Sequence, residues 1–115
     1  MRKSQLVSLE LFSPLYPGDF ATEPYEAGWA SQALCFVYVD EVHGEASLEM
    51  RVQVAADGQR WIDFGCEFPV ITQPGGYFVR ISGFGSWLRL AGHVTKGPDD
   101  GTEAMTAHIY LDLKE

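Results

Sequence analysis

The side chains able to do chemistry in this chain are few: three histidines, His43, His93 and His108, two cysteines, Cys35 and Cys66, and a surplus of carboxylates. No two histidines stand at the short spacing through which one strand or helix presents paired metal ligands. His43 follows Asp40 and Glu41 in an Asp-Glu-Val-His-Gly turn. His93 and His108 are expected as diagonal neighbours on one outward sheet face, with Asp112 too far along the strand to complete a compact site. They read as solvated surface histidines, and no metal is expected. Asp99, Asp100 and Glu103 could offer oxygen ligands to Ca²⁺, but their spacing departs from the EF-hand loop and fits a solvated acidic turn. Asp40, Glu41 and Glu45 could work as an acid and base pair, yet nothing in the sequence builds the apolar pocket that would raise one of their pKa values.

Nucleophilic chemistry is no better supplied. Ser82-Gly83-Phe84-Gly85-Ser86 sets serines beside glycines, but it lacks the Gly-x-Ser-x-Gly order and the strand-to-helix elbow that expose a nucleophile, so it reads as a turn. Gly83 and Gly85 precede no helix whose N-terminus could receive a pyrophosphate, and no phosphate-binding loop occurs. Cys35 falls in a core-like strand and Cys66 follows Phe64-Gly65. Two reduced thiols are expected, with a disulfide as the alternative. No catalytic residue and no cofactor is therefore assigned, and the chain is expected not to be an enzyme.

Binding residues are easier to nominate. Trp87, Arg89 and Tyr110 are expected to share one outward face, where rings and a guanidinium can stack on a sugar or dock a protein. Packing of Arg89 on Tyr110 within the sheet is the structural alternative. Residues 12–33 form the second candidate: Pro14, Pro17, Pro24, Gly18 and Gly28 punctuate a run holding Phe12, Tyr16, Phe20, Tyr25 and Trp29. So long a segment without a strand pattern is uncommon in a compact domain and is often functional, although its rings could equally cap the open end of a core.

The elements that must position these groups are strands. Leu48, Met50, Val52 and Val54 alternate with Glu49, Arg51 and Gln53, the period of two of a half-buried antiparallel strand, and Asp57-Gly58 then supplies a tight turn before Trp61. Residues 47–55 and 60–64 thus form a hairpin. Further strands are expected at 5–11, 34–39, 77–81, 87–95 and 104–113, seven or eight in all, separated by glycine, proline and aspartate turns that include 97–101. Residues 34–39 are apolar on both sides, as in a central strand covered on both faces. A hairpin joining the last two strands would set Arg89 opposite Tyr110 and Leu90 opposite Ile109. Leu90, Ile109, Val52 and Val54 are expected in the core.

Short strands at this spacing in a chain of 115 residues describe a single all-β domain, a two-sheet antiparallel sandwich of jelly-roll type. Eight basic against 16 acidic residues give a net charge of −8, which disfavours nucleic acid and anionic membrane surfaces. Residues 4–12 alternate where a secretory signal would be continuously apolar, so the chain is expected to be unexported, cytoplasmic or particle-associated.

The stretch Val-Gln-Val-Ala-Ala-Asp-Gly-Gln-Arg-Trp, with Gly-Tyr-Phe-Val-Arg-Ile and Trp-Leu-Arg-Leu after it, resembles the hairpin and following strands of discoidin-like and other jelly-roll binding modules over residues 48–91. The usual serine of that hairpin is Ala56 here. The resemblance implies binding of glycans, lipids or proteins, or service as an accessory module on a larger assembly. The expectation is a non-catalytic structural or accessory module of a multi-subunit particle, a homo-oligomer or part of a larger protein assembly. Its contacts are expected from Tyr16, Phe20, Tyr25, Trp29, Trp87, Arg89 and Tyr110. A carbohydrate-binding module with a glycan ligand is the second reading, and a small hydrolase the third.

Overall fold

The computed structural model describes residues 3–96 and 103–115, the side chains of residues 10–13 excepted. The turn expected at 97–101, with Asp99 and Asp100, lies outside the described residues, as does the side chain of Phe12. Among the described residues nine strands follow one another: β1 (Ser4–Leu15), β2 (Gly18–Ala21), β3 (Tyr25–Glu26), β4 (Gln32–Val42), β5 (Ser47–Ala55), β6 (Ile62–Glu67), β7 (Gly75–Ser82), β8 (Trp87–Thr95) and β9 (Met105–Lys114). They form two antiparallel sheets, one ordered β1-β9-β4-β7 and the other β2-β8-β5-β6, with β3 also on β8. Among the described strands only β5 and β6 are both consecutive and hydrogen-bonded to each other; β2 and β3 share a sheet as separate partners of β8, and the other connections cross between the sheets. That interleaving is the jelly-roll sandwich.

The hairpin expected from Asp57-Gly58 is present. Gly58 takes φ +74°, and Asp57 Oδ1 accepts from the Gln59 and Arg60 amides at 3.0 and 2.9 Å. These bonds, the Arg60 amide first, hold the Asp57 carboxyl down at about 2. The Trp87 ring lies over Gly58, where an added Cβ would stand 3.1 Å from it. Trp87 therefore roofs the turn.

The core lies between the sheets. Leu111, Ile109 and Met105 of β9 and Cys35 and Val37 of β4 face Leu48, Met50 and Val52 of β5 and Leu88, Leu90 and Val94 of β8, all nearly inaccessible. Burying each large aliphatic side chain is worth roughly 1.5–3 kcal/mol. Val54 packs partly buried at the margin. Phe20 of β2 pairs with Gly92, and a Cβ on Gly92 would come 2.8 Å from its ring and 2.7 Å from the Glu49 carbonyl oxygen, so glycine there makes room for the ring.

Three expectations need correction. First, β8 and β9 do not form a hairpin: Leu90 pairs with Val52 and Ile109 with Val37, in opposite sheets. The apolar phase of a strand says which residues face the core and not from which side they approach it, so both arrangements satisfy the same alternation. Second, residues 12–33 are not structureless. β1 runs on to Leu15, β2 and β3 pair with β8, Thr22 N donates to Leu90 O at 2.9 Å, and Ala27 N to Ser86 O at 2.7 Å. Phe20, Tyr25 and Trp29 pack against the core, and only Tyr16 of the four nominated rings is an exposed large hydrophobic, at 54%. Third, β4 is central in its sheet but, among the described residues, covered on one face alone.

Candidate functional site

The uncovered face of β4 is the most distinctive surface of the molecule. Cys35, Val37 and Val39 point into the sandwich, which turns Leu34, Phe36 and Tyr38 outward. The strand register extends these into rows across the sheet: Leu6, Asp112, Leu34 and Arg80, then Ser8, Tyr110, Phe36 and Phe78, then His108, Tyr38 and Gly76. The rings touch one another. Phe36 and Tyr38 lie nearly parallel with centroids 6.0 Å apart, Phe78 tilts against Phe36 at 5.9 Å, and Tyr110 meets Tyr38 edge-on at 5.9 Å. Gly76 lets the Tyr38 ring lie across its strand, since a Cβ there would sit 3.2 Å from the ring.

Leu6, Phe78 and Tyr38 remain 65%, 59% and 45% exposed. Leu6, Phe36, Tyr38, Asp40, His108 and Tyr110 line an open groove of about 520 Å³. At its rim His108 Nε2 lies 2.6 Å from Asp40 Oδ2. Exposed apolar side chains that share one sheet face and touch mark an interaction surface in a folded chain.

The outer face of the other sheet is polar. Asp63 Oδ1 accepts from Arg51 Nε and Gln53 Nε2, both at 3.0 Å. These two bonds, Gln53 first, hold its carboxyl below the usual range. Arg89 Nε donates to Gln53 Oε1 at 2.8 Å while its guanidinium lies 4.5 Å from the Trp61 ring centre. His93 Nδ1 stands 2.6 Å from Asp19 Oδ1.

The sequence-derived constellation is thus divided. Trp87 and Arg89 belong to β8 and Tyr110 to β9, so Arg89 stacks on Trp61 and not on Tyr110. His93 and His108 lie on opposite sides of the sandwich, each beside its own aspartate. Tyr110 joins the aromatic face, whereas Tyr16, Phe20, Tyr25 and Trp29 lie off it. Leu6, Phe36, Tyr38 and Phe78 were missed. For Phe36 and Tyr38 the signal is the double-sided apolarity of β4; Leu6 on β1 and Phe78 on β7 join them only through the strand register, which alternation alone does not carry.

Chemical equipment elsewhere is limited. Cys35 and Cys66 are free thiols, Cys35 buried, and burial pushes Cys35 up to about 12, which keeps it from acting as a thiolate. Ser82 pairs with Gln32 and His108 with Tyr38, so the two stand toward opposite ends of β4, about 20 Å apart at 3.3 Å per residue. Among the described residues one set of side chains has ligand atoms close enough to share a cation: those of Glu41, His43 and Glu103 lie within 4.8 Å of one another. A register shift between Val39 and Glu41 brings Glu41 opposite Thr106, and His43 N donates to Ala104 O at 2.8 Å, which draws Glu103 near.

Fold and face together define the class, a jelly-roll sandwich with one sheet face left apolar. No family model matches the chain, and no curated protein matches it in sequence. Solved structures do match in fold. The chain aligns over 95% of its length with the PBSX exported protein XepA, at TM-score 0.67 and 9% identity, covering 36% of that chain. It aligns over 98% with the infectious bursal disease virus VP2 of a subviral particle, at TM-score 0.65 and 6% identity, covering 32%. It aligns over all its length with the SPBc2 prophage-derived protein YomS, at TM-score 0.60 and 6% identity, covering 96%. The chain therefore spans about a third of the first two proteins and nearly all of the third. The jelly-roll part of the sequence resemblance is supported by these neighbours, and the discoidin part is not.

Proposed function

We propose that this chain is a non-catalytic structural module of a multi-subunit protein particle of virion or phage type, and that it works by packing the outer face of the β1-β9-β4-β7 sheet against another subunit. The observation that carries this reading is the run of touching, exposed side chains Leu6, Tyr38 and Phe78 with Phe36 and Tyr110. Rigid aromatic side chains lose little conformational entropy on burial and dominate the centres of protein interfaces. The phage-derived and viral fold neighbours support the choice of assembly. Native mass spectrometry of the full chain across a micromolar concentration series tests it. Discrete oligomers, or a monomer that enters complexes with other proteins of the same particle, are expected; a chain that stays monomeric and joins none contradicts it.

A second reading rests on the same groove. Parallel rings beside a carboxylate, as in Phe36, Tyr38 and Asp40, suit a sugar, whose apolar face stacks on rings while its hydroxyls bond to an acceptor. Saturable binding of a neutral oligosaccharide that quenches tyrosine fluorescence, without self-association of the protein, favours this carbohydrate-binding role over the assembly role.

A further inference from the structure

On the opposite face, the β2-β8-β5-β6 sheet has a feature that the assembly reading does not use. Asp19, Phe20, Ala21, Arg51, Gln53, Arg89, Ala91 and Gly92 line a hollow of about 300 Å³. Its floor is low because Ala21 pairs with Ala91 and Phe20 with Gly92 across β2 and β8. Arg51 pairs with Ala91 and Gln53 with Arg89. The two arginines are therefore diagonal neighbours, roughly 7–8 Å apart and within reach of each other's long side chains.

Arg89 is held rather than free. Its Nε is bonded to Gln53 Oε1 at 2.8 Å and its guanidinium plane is backed by Trp61 at 4.5 Å. Gln53 is itself only 8% exposed and is anchored through Nε2 to Asp63 at 3.0 Å. This chain of bonds fixes the guanidinium and leaves its terminal amino groups as donors. Arg51 pairs through Nε with Asp63 Oδ1 at 3.0 Å. Arg89, in a chain with 16 acidic side chains, makes no ion pair among the described residues. Its pKa lies below the ordinary arginine value, first through burial and then through the charge of Arg51.

We propose that this hollow is an anion site for a carboxylate carried on an apolar stem, clamped by the terminal amino groups of Arg89 with help from Arg51. A planar carboxylate matches the fork of a guanidinium in two parallel bonds. Bringing a negative charge between two cations removes their repulsion, and the methyl groups of Ala21 and Ala91 receive the stem. Asp19 on the rim is already beside His93. The carboxylate can come from a free organic acid or from a glutamate or chain end of another polypeptide.

The test is titration of the ¹⁵N-labelled full chain with sodium propionate and with a short peptide ending in glutamate, against sodium chloride at equal ionic strength, following the arginine Nε–H signals. A saturable shift of Arg89, absent with chloride, is expected, and about tenfold weaker binding in Arg51→Gln, whose unchanged amide spectrum reports an intact fold. The exposed Arg60, paired with Asp57, should not follow. Equal affinity for propionate and peptide assigns the source to a free acid, and tenfold tighter peptide binding assigns it to a polypeptide. An Arg89 signal that moves only linearly, in step with Arg60 or equally with chloride, overturns the site.

Discussion

The two outer faces of the sandwich are built from the same alternation and are finished in opposite ways. Across β5, β6 and β8 the outward positions are Arg51, Gln53, Asp63 and Arg89, bonded into one network. Across β4, β7 and β9 they include Phe36, Tyr38, Phe78 and Tyr110, rings that pack against one another. Water solvates the first surface at little cost. The second leaves apolar area in water that a further protein surface can cover, at roughly 25 cal/mol per Å² of apolar area removed from solvent. The inner faces of both sheets are equally dry, so the asymmetry concerns what each sheet shows outside, not how well each is folded.

If that is so, truncation inside either sheet should hurt alike. Leu90→Ala from one sheet and Ile109→Ala from the other are each expected to lose about 2–5 kcal/mol in urea denaturation. A loss below about 0.5 kcal/mol for one and not the other would mean that the sandwich is not packed evenly. Glycine substitutions sharpen the contrast. Gly92→Ala drives a Cβ against the Glu49 carbonyl at 2.7 Å and the Phe20 ring, and should cost about 1–3 kcal/mol. Gly76→Ala meets only the Tyr38 ring at 3.2 Å, a side chain 45% exposed and free to swing outward. Its cost should be smaller, and a larger loss for Gly76→Ala in the same melt would show Tyr38 to be fixed in place.

The smallest effect is expected at the edge of the polar face. Asp57 is held at about 2 against an ordinary 3.8, the bond from the Arg60 amide being the largest cause, and Asp63 is lowered as well. Folded values below unfolded ones mean that their stabilisation is complete above the unfolded value of 3.8 and fades as pH falls toward about 2. Thermal melts from pH 6 to pH 2 should show a shallower acid-side loss in Asp57→Asn than in the wild type. Parallel curves would remove Asp57 from the account.

The sequence carried some of this structure plainly and hid the rest for physical reasons. β5 and β8 occupy the expected residues because alternation and flanking turns mark both ends, and the Asp57-Gly58 hairpin needs only local information. The pairing of β8 was not readable, since inward phase is blind to which sheet faces which. β2 and β3 are short strands set among prolines and glycines, too brief for a period to register, and their hydrogen bonds to β8 come from far along the chain. The aromatic face was visible as letters in β4. What the letters do not say is whether the second apolar side of a strand is covered by its own chain or left for another.

The most direct test of the assembly face compares one substitution on each outer surface by sedimentation velocity of the full chain, alone or with the other proteins of its particle. Phe78→Glu places a charge among exposed rings, and Glu67→Lys alters the polar face; as surface changes, each should move stability by no more than about 0.5 kcal/mol. Loss of the associated species in Phe78→Glu, with Glu67→Lys sedimenting as the wild type does, is the predicted result. Association that survives Phe78→Glu and fails in Glu67→Lys would contradict it.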